Sequence, residues 1–166
     1  MNISLYQLDG GLKKFLGTFI ITLSVGIALG LVYLNYTTDF SPDEAVSRFR
    51  GSEEIKPADE FDIPEDYARP VSELLITTHN HVIGFSFIFF LTGVIFYFNS
   101  VITGTWKMFF LIEPLVSTVI SFGSIWGMRF IHPSFVYLTV ASSTLIYLSY
   151  LVMASVILYE LFFKKS

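Results

Sequence analysis

The sequence contains no cysteine among its 166 residues. A chain without cysteine cannot form a disulfide, attach a c-type haem, or supply thiolates to an iron–sulfur cluster or a zinc site. It also lacks the phosphate-binding GxxxxGK[ST] loop, the GxSxG nucleophile elbow and the HExxH zinc motif. The sequence therefore gives no support for a P-loop ATPase or for the familiar hydrolases, and it assigns no enzymatic activity.

Charge is also scarce: 14% of the residues are charged, whereas 53% are hydrophobic and 17% are aromatic. Soluble domains carry about 25% charged residues, so this composition indicates a membrane protein. A helix needs about 20 apolar residues to cross a bilayer. Four runs of that length predict spans at about 15–34, 74–98, 106–128 and 135–163. We expect an all-α integral membrane protein, one membrane domain over 1–166, built as a four-helix up-down bundle.

The basic residues predict the orientation of the bundle. With four spans, five lysines fall on one side of the membrane: Lys13, Lys14, Lys107, Lys164 and Lys165. The positive-inside rule makes that side the cytoplasm, with both termini on it. A signal peptide is the competing interpretation of the first run, but that run is too long for an h-region and no small-residue cleavage site follows. We expect a multi-pass protein of the bacterial inner membrane.

Acidic residues are concentrated in one predicted loop. Residues 35–73 hold eleven of the 14 acidic residues and four basic ones, a net charge of −7. Four prolines interrupt the loop: Pro42, Pro57, Pro64 and Pro70. Since the loop also lacks an apolar period, we expect an irregular segment with little helix. It is either a solvated periplasmic linker or a docking surface for a positively charged periplasmic partner.

Small residues recur in two spans at the spacing of helix contacts. The first span has Thr18, Thr22, Gly26 and Gly30, and the third has Ser117, Ser121, Gly123 and Gly127. Lipid is as apolar as leucine, so membrane helices attract each other mainly through close backbone packing. We therefore expect these positions to lie where helices touch.

A few ionisable residues lie in or near the spans, where they are costly and are therefore candidates for function. They are His79, His81, Glu113, Arg129 and His132. The predicted topology places all three histidines near the outer face. His79 and His81 lie about 200° apart around a helix, so they cannot both point at one central site.

One histidine of the second span and His132 can then face each other across the bundle. That arrangement suits a bis-imidazole b-type haem, and Arg129 would pair with a haem propionate. Two alternatives stay open. Either the histidines are interfacial polar residues, with His132 capping the last span, or His79, His81 and His132 bind a copper or zinc ion.

Glu113 is a carboxyl group inside the third span, followed by Pro114, which can bend the helix. Burial disfavours the charged form of such a group. Glu113 is either a proton-relay or quinone-binding residue, or the donor of an interhelical hydrogen bond.

Three stretches, "TTHNH", "IEPLVS" and "RFIHPSFVYL", carry a resemblance to small four-helix inner-membrane proteins of bacteria that share a Thr-His-x-His element. The resemblance covers all four spans and the "FRGSEE" part of the loop, and it implies no mechanism. The chain is also similar, distantly, to four-helix membrane cytochromes b in bundle size and in having histidines within helices. It departs from their two-haem pattern because no histidine lies toward the cytoplasm, so at most one haem is implied.

The function expected from these features is that of a membrane-embedded electron-transfer or anchor subunit with a histidine-ligated site near the periplasmic face. Its partners would be the lipid bilayer and a periplasmic redox protein or a larger membrane complex, and no nucleic acid. The alternatives are a structural or assembly subunit with no cofactor, and a membrane protein that binds a metal ion.

The orientation can be tested with alkaline phosphatase fusions, because this reporter is active only outside the cytoplasm. Fusions within 35–73 or after His132 should be active, and fusions after Thr103 or at the C-terminus should be inactive, because the lysines stay in the cytoplasm. The opposite pattern of activity would show that the lysines lie outside.

Overall fold

The computed structural model describes residues 4–51 and 67–164. Regular structure in these ranges is entirely helical. A 3-10 turn at Leu5–Gln7 precedes α1 (Gly10–Thr38), α2 (Pro42–Arg50), α3 (Val71–Tyr97), α4 (Gly104–Phe130) and α5 (Phe135–Phe162). Four of these helices, α1, α3, α4 and α5, are long and apolar enough to cross a membrane. The prediction of an all-α protein with four spans is confirmed, and the chain is a multi-pass membrane protein.

Helix α5 lies at the centre of the bundle. The buried share of the most apolar window is 44% in α5, 33% in α4, 22% in α3 and 11% in α1. Short turns join α3 to α4 and α4 to α5, so consecutive helices are antiparallel. Helix α5 contacts each of the other spans. Its buried residues Ile146, Met153 and Ile157 share a core with Phe89 and Phe96 of α3. The packed unit is therefore α3–α4–α5, with α1 at its edge.

Helix α1 packs on α5 through a face that the small-residue pattern did not predict. Ile20 is fully buried, Gly17 lies against the Phe162 ring, and Ser24 Oγ is 3.0 Å from Tyr150 Oη. The predicted contact residues are instead exposed: Thr18, Thr22, Gly26 and Gly30. That prediction was wrong for α1, because Gly17, Ile20 and Ser24 make the close contacts with α5 from a different part of the helix surface.

The corresponding prediction for α4 is largely confirmed. Ser117 and Ser121 are buried, and Gly127 lies under the Phe135 ring, where an added Cβ would be 2.5 Å from Cδ1. Gly123 is the exception, because no atom lies within 4 Å of its Cβ position. Three of the four small residues of α4 thus lie in helix contacts.

The segment after α1 contains a helix where an irregular loop was expected. Helix α2 begins after Ser41, whose hydroxyl accepts a hydrogen bond from the Glu44 N–H at 3.5 Å. Pro42 stands at the first helical position, where its missing N–H costs nothing. Acidic side chains in the first turn and arginines in the last complement the helix dipole. The expectation was wrong because a proline in the first turn starts a helix rather than breaking it.

Helix α2 covers one end of the α3–α4–α5 unit. Its side chains Ala45, Val46 and Phe49 pack against a cluster that includes Leu74 and Met128. The remainder of the predicted loop, residues 52–66, includes Pro57 and Pro64 and lies outside the described residues.

The lysines gather at the opposite end of the bundle, here called the lysine end. Lys13 Nζ donates to the Tyr6 carbonyl at 2.6 Å, Lys107 Nζ to the Asn99 carbonyl at 2.7 Å, and Lys164 Nζ to Ser100 Oγ at 2.7 Å. The first described residues and the end of α5 therefore meet at the α3–α4 turn, as an even number of spans requires.

Two glycines of α4 allow a matched test of the helix packing. Gly127→Ala should lower the free energy of unfolding by about 1–3 kcal/mol, because the new methyl group overlaps the Phe135 ring. Gly123→Ala should be neutral or stabilising by up to about 1 kcal/mol, since its site is open and alanine favours helix. Thermal unfolding in detergent compares the variants, and equal losses would contradict the assigned packing.

Candidate functional site

A row of hydroxyl groups lines the contact between α4 and α5. On α4, Ser117, Ser121 and Ser124 follow the i, i+4, i+7 spacing of one helix face, and all three are buried. Ser124 Oγ lies 2.7 Å from Thr139 Oγ1 of α5. Ser142 of α5 is also buried in this contact and donates to the Leu138 carbonyl. Small hydroxyl side chains let the two helices approach closely while their polar groups remain bonded.

Glu113 belongs to the same contact and joins the two helices. Its Oε1 accepts a hydrogen bond from Ser117 Oγ at 2.5 Å, and its Oε2 accepts one from Ser149 Oγ of α5. The side chain is half-buried. Lys107 is the nearest basic residue along α4, and its amino group binds main-chain carbonyls at the lysine end. Among the described residues, hydroxyl groups are thus the partners of this carboxyl.

A second glutamate, Glu160, was not identified from the sequence. Its side chain is fully buried, and it accepts hydrogen bonds from the Ser100 N–H at 2.8 Å and from Ser100 Oγ at 2.5 Å. Lys164 donates to the same serine hydroxyl. Glu160 therefore ties the end of α5 to the α3–α4 turn. The available signal was the i, i+4 spacing of Glu160 and Lys164 at the end of an apolar run.

His81 leans over the seam between α3 and α4. Its ring centre is 5.3 Å from that of Phe122 and 6.2 Å from that of Phe85, although the side chain is exposed. Nδ1 lies 2.8 Å from the Thr77 carbonyl. A carbonyl only accepts, so Nδ1 carries a proton and Nε2 of the neutral ring is left as a free acceptor or ligand.

His132 has the opposite arrangement. The Ser134 N–H donates to its Nδ1 at 3.2 Å, and Ser134 Oγ lies 2.7 Å from the same atom. Nδ1 is therefore an acceptor, and the neutral ring carries its proton on Nε2. The side chain is exposed in the turn before α5. The N-cap of α5 is Ser134, so His132 lies two residues before the cap position that was predicted for it.

The structure does not bring His81 and His132 together. His81 contacts Phe122, whereas His132 follows the end of α4 at Phe130, so about 12 Å of helix separates their levels. Two nitrogens on one metal ion lie about 4 Å apart. His79 is also exposed, so neither histidine of α3 is buried in the bundle.

Within the described part of the chain, the structure gives no support for a cofactor site of the predicted kind. Across residues 4–51 and 67–164, no group of three histidine or acidic side chains is placed to hold a metal ion. Arg129 stacks its guanidinium 5.2 Å from the Phe130 ring centre, and its Nε is buried without a hydrogen-bond partner. The haem, copper and zinc assignments therefore gain no support from the geometry and stay predictions.

Three consecutive polar side chains of α3, His79, Asn80 and His81, are all exposed and form the patch called here the polar triplet. Helix α3 has 27 residues, so it is about 40 Å long, whereas the hydrocarbon core is about 30 Å thick. At the lysine end, Lys107 Nζ bonds the carbonyl of Tyr97, the last residue of α3. The triplet begins about 12 Å from the other end of α3 and about 27 Å from the lysine end, a distance shorter than the thickness of a hydrocarbon core.

Comparison with known proteins supports a membrane domain. Residues 39–166 match the family model Aq_1264_TM, whose description is a transmembrane helical domain. Comparisons with curated proteins and with solved structures gave no match. The matched region starts directly after α1, which ends at Thr38, and therefore comprises α2 to α5. The likeness to membrane cytochromes b receives no support from these comparisons.

The Glu160 contact yields a stability prediction. Glu160→Ala should lower the free energy of unfolding by about 1–3 kcal/mol, because two partly buried donors of Ser100 lose their acceptor. Glu160→Gln should lose less, since its amide oxygen still accepts. The control is Glu73→Ala, at an exposed site in the first turn of α3. Thermal unfolding measures the three variants, and an equal effect of both alanine substitutions would contradict the role of Glu160.

Proposed function

Because the chain belongs to the Aq_1264_TM family of transmembrane helical domains, we propose that it is a structural or assembly subunit of a larger membrane complex. We further propose that a transmembrane helix of a partner subunit binds at the polar triplet of α3. The observation that carries the proposal is the exposure of His79, Asn80 and His81 on a membrane-spanning helix, about 12 Å from its end.

The argument depends on the cost of polar groups in lipid. Unpaired donors and acceptors at this depth are unfavourable, and polar side chains in membrane helices are usually paired with a neighbour. Asn80 offers two donors and an acceptor, and Nε2 of His81 is a free acceptor. A partner helix with hydroxyl or amide side chains satisfies these groups, and each interhelical hydrogen bond contributes about 0.6–2 kcal/mol.

The position of α1 leaves room for such a partner. Helix α1 packs on α5, so it does not cover the triplet. The three side chains of the triplet spread over about 200° of the helix surface, and His81 lies over the α4 seam. A partner helix therefore meets the triplet from the side of His79 and Asn80.

Site-specific photocrosslinking in native membranes tests the partner. A benzophenone amino acid replacing His79 or Asn80 should give one protein adduct of the same mass, because both positions face the partner helix. The same amino acid replacing Leu151, an exposed apolar position of α5, is the control. The proposal would be contradicted if His79 and Asn80 gave no protein adduct, or if Leu151 gave protein adducts equally often.

A complementary measurement uses the size of the complex. The triple variant His79→Ala, Asn80→Ala, His81→Ala should release a smaller species in mild detergent, since the partner loses its hydrogen bonds. An unchanged complex would mean that the triplet is not the interface.

One observation favours a second candidate, the predicted electron-transfer subunit. The bond from His81 Nδ1 to a main-chain carbonyl orients the ring as histidine ligands are oriented in metal sites, with Nε2 available. A haem or metal ion would then need its other ligand from the partner subunit, which would be the expected redox protein. A visible absorption spectrum of the intact complex separates the candidates. A Soret band that is present in the unsubstituted protein and lost in His81→Ala would show that His81 is a haem ligand.

A further inference from the structure

We propose that Glu113 is an exchangeable proton-binding site of the membrane domain, accessible from the bilayer along the α4–α5 seam. This inference is independent of the partner interface, since Glu113 and the polar triplet lie on different helices. It assigns a chemical role to the half-buried carboxyl group, beyond the joining of two helices.

None of the residues that the structure describes brings a positive charge to the Glu113 carboxyl group. Along α4, no other titratable residue lies between Lys107 and Arg129, and along α3 none lies between His81 and Tyr97. The nearby titratable groups of α5 are tyrosines that face α1. Tyr150 Oη contacts Ser24, and Tyr147 Oη lies 4.0 Å from the Cβ position of Gly30.

An ionised carboxylate without a counter-charge is costly in a medium of low dielectric constant. Binding a proton removes that cost. Glu160 shows the contrasting environment, because a main-chain N–H bonds its carboxylate and the Lys164 ammonium is attached to the same serine. Glu113 and Glu160 therefore differ in whether a nearby positive charge balances the charge of the carboxylate.

The hydrogen-bond partners of Glu113 suit both protonation states. A serine hydroxyl donates one hydrogen bond and also accepts, so it can reverse its role by rotating its hydrogen atom. When the carboxylate is ionised, Ser117 and Ser149 both donate to it. When it takes up a proton from water, the carboxyl group donates to one hydroxyl, which can turn to a carbonyl of its own helix. The heavy atoms need not move.

The location of Glu113 allows exchange. Its side chain is only half-buried, and the neighbouring side chains Val116 and Ile120 on the adjoining face of α4 are exposed toward lipid. Glu113 lies six residues from Lys107, which is about 9 Å along the helix from the lysine end. A small lipophilic reagent can thus approach the carboxyl group from the bilayer side, and water at the lysine end is the nearest source of its proton.

Labelling with dicyclohexylcarbodiimide tests the proposal, because this lipophilic reagent adds to protonated carboxyl groups in membranes. Full-length protein in native membranes should gain one reagent molecule at Glu113, located by mass spectrometry of peptides. Labelling should fall as the pH rises, by about tenfold for each pH unit above the midpoint. Glu160 in the same molecule is the internal control and should stay unlabelled.

Two variants separate proton binding from a purely structural role. Glu113→Gln should abolish the labelling, and infrared difference spectra after a pH step should lack the carboxyl C=O band that the unsubstituted protein shows. Ser149→Ala keeps the acid and should shift the midpoint of labelling, since one donor to the ionised form is lost. Absence of both the Glu113 adduct and the titrating band, or labelling that does not change with pH, would overturn the proposal.

Discussion

The close contact between α4 and α5 is the constraint on which the rest of the structure depends. In lipid, the burial of apolar side chains does not drive helices together. Close backbone packing and interhelical hydrogen bonds must therefore supply the attraction. Ser124 bonds Thr139 near one end of the contact, and Glu113 bonds Ser149 about three turns away. Two such bonds fix the register of the helix pair. The buried α5 then presents its other sides to α3 and α1.

This central helix pair explains the asymmetry of the molecule. The packed unit α3–α4–α5 and the helix α2 that covers one end of it both lie within the residues that match the family model. Helix α1 lies outside that match and is the least buried span. Both candidate functional features belong to the packed unit: the polar triplet on the surface of α3 and the carboxyl group of Glu113 in the α4–α5 seam. The proposed partner interface and the proposed proton site therefore lie on the same packed unit.

The sequence was sufficient to predict features that depend on local composition, such as the four spans, the shared side of the lysines and the packing face of α4. The sequence was insufficient to decide which face of a helix packs against its neighbour. The small residues of α1 gave no indication that Ile20 and Ser24 would face α5. The predicted topology placed His81 and His132 on the same side of the membrane, but it did not predict that they lie at different levels along the bundle. Ser41 followed by Pro42 is a pattern typical of the start of a helix, and α2 does start there. We instead interpreted all four prolines of the loop as residues that interrupt helices.

The most direct test of this account is disulfide crosslinking across α4 and α5, which is clean because the chain has no cysteine of its own. The pair Ser124→Cys with Thr139→Cys should form a disulfide in native membranes under mild oxidation, since the two hydroxyl oxygens are 2.7 Å apart. Ser124→Cys with Thr144→Cys is the control, because Thr144 is exposed and bonds a carbonyl of its own helix. A disulfide that forms only in the first pair is the predicted result. Equal crosslinking of both pairs, or crosslinking of the control alone, would contradict the assigned register.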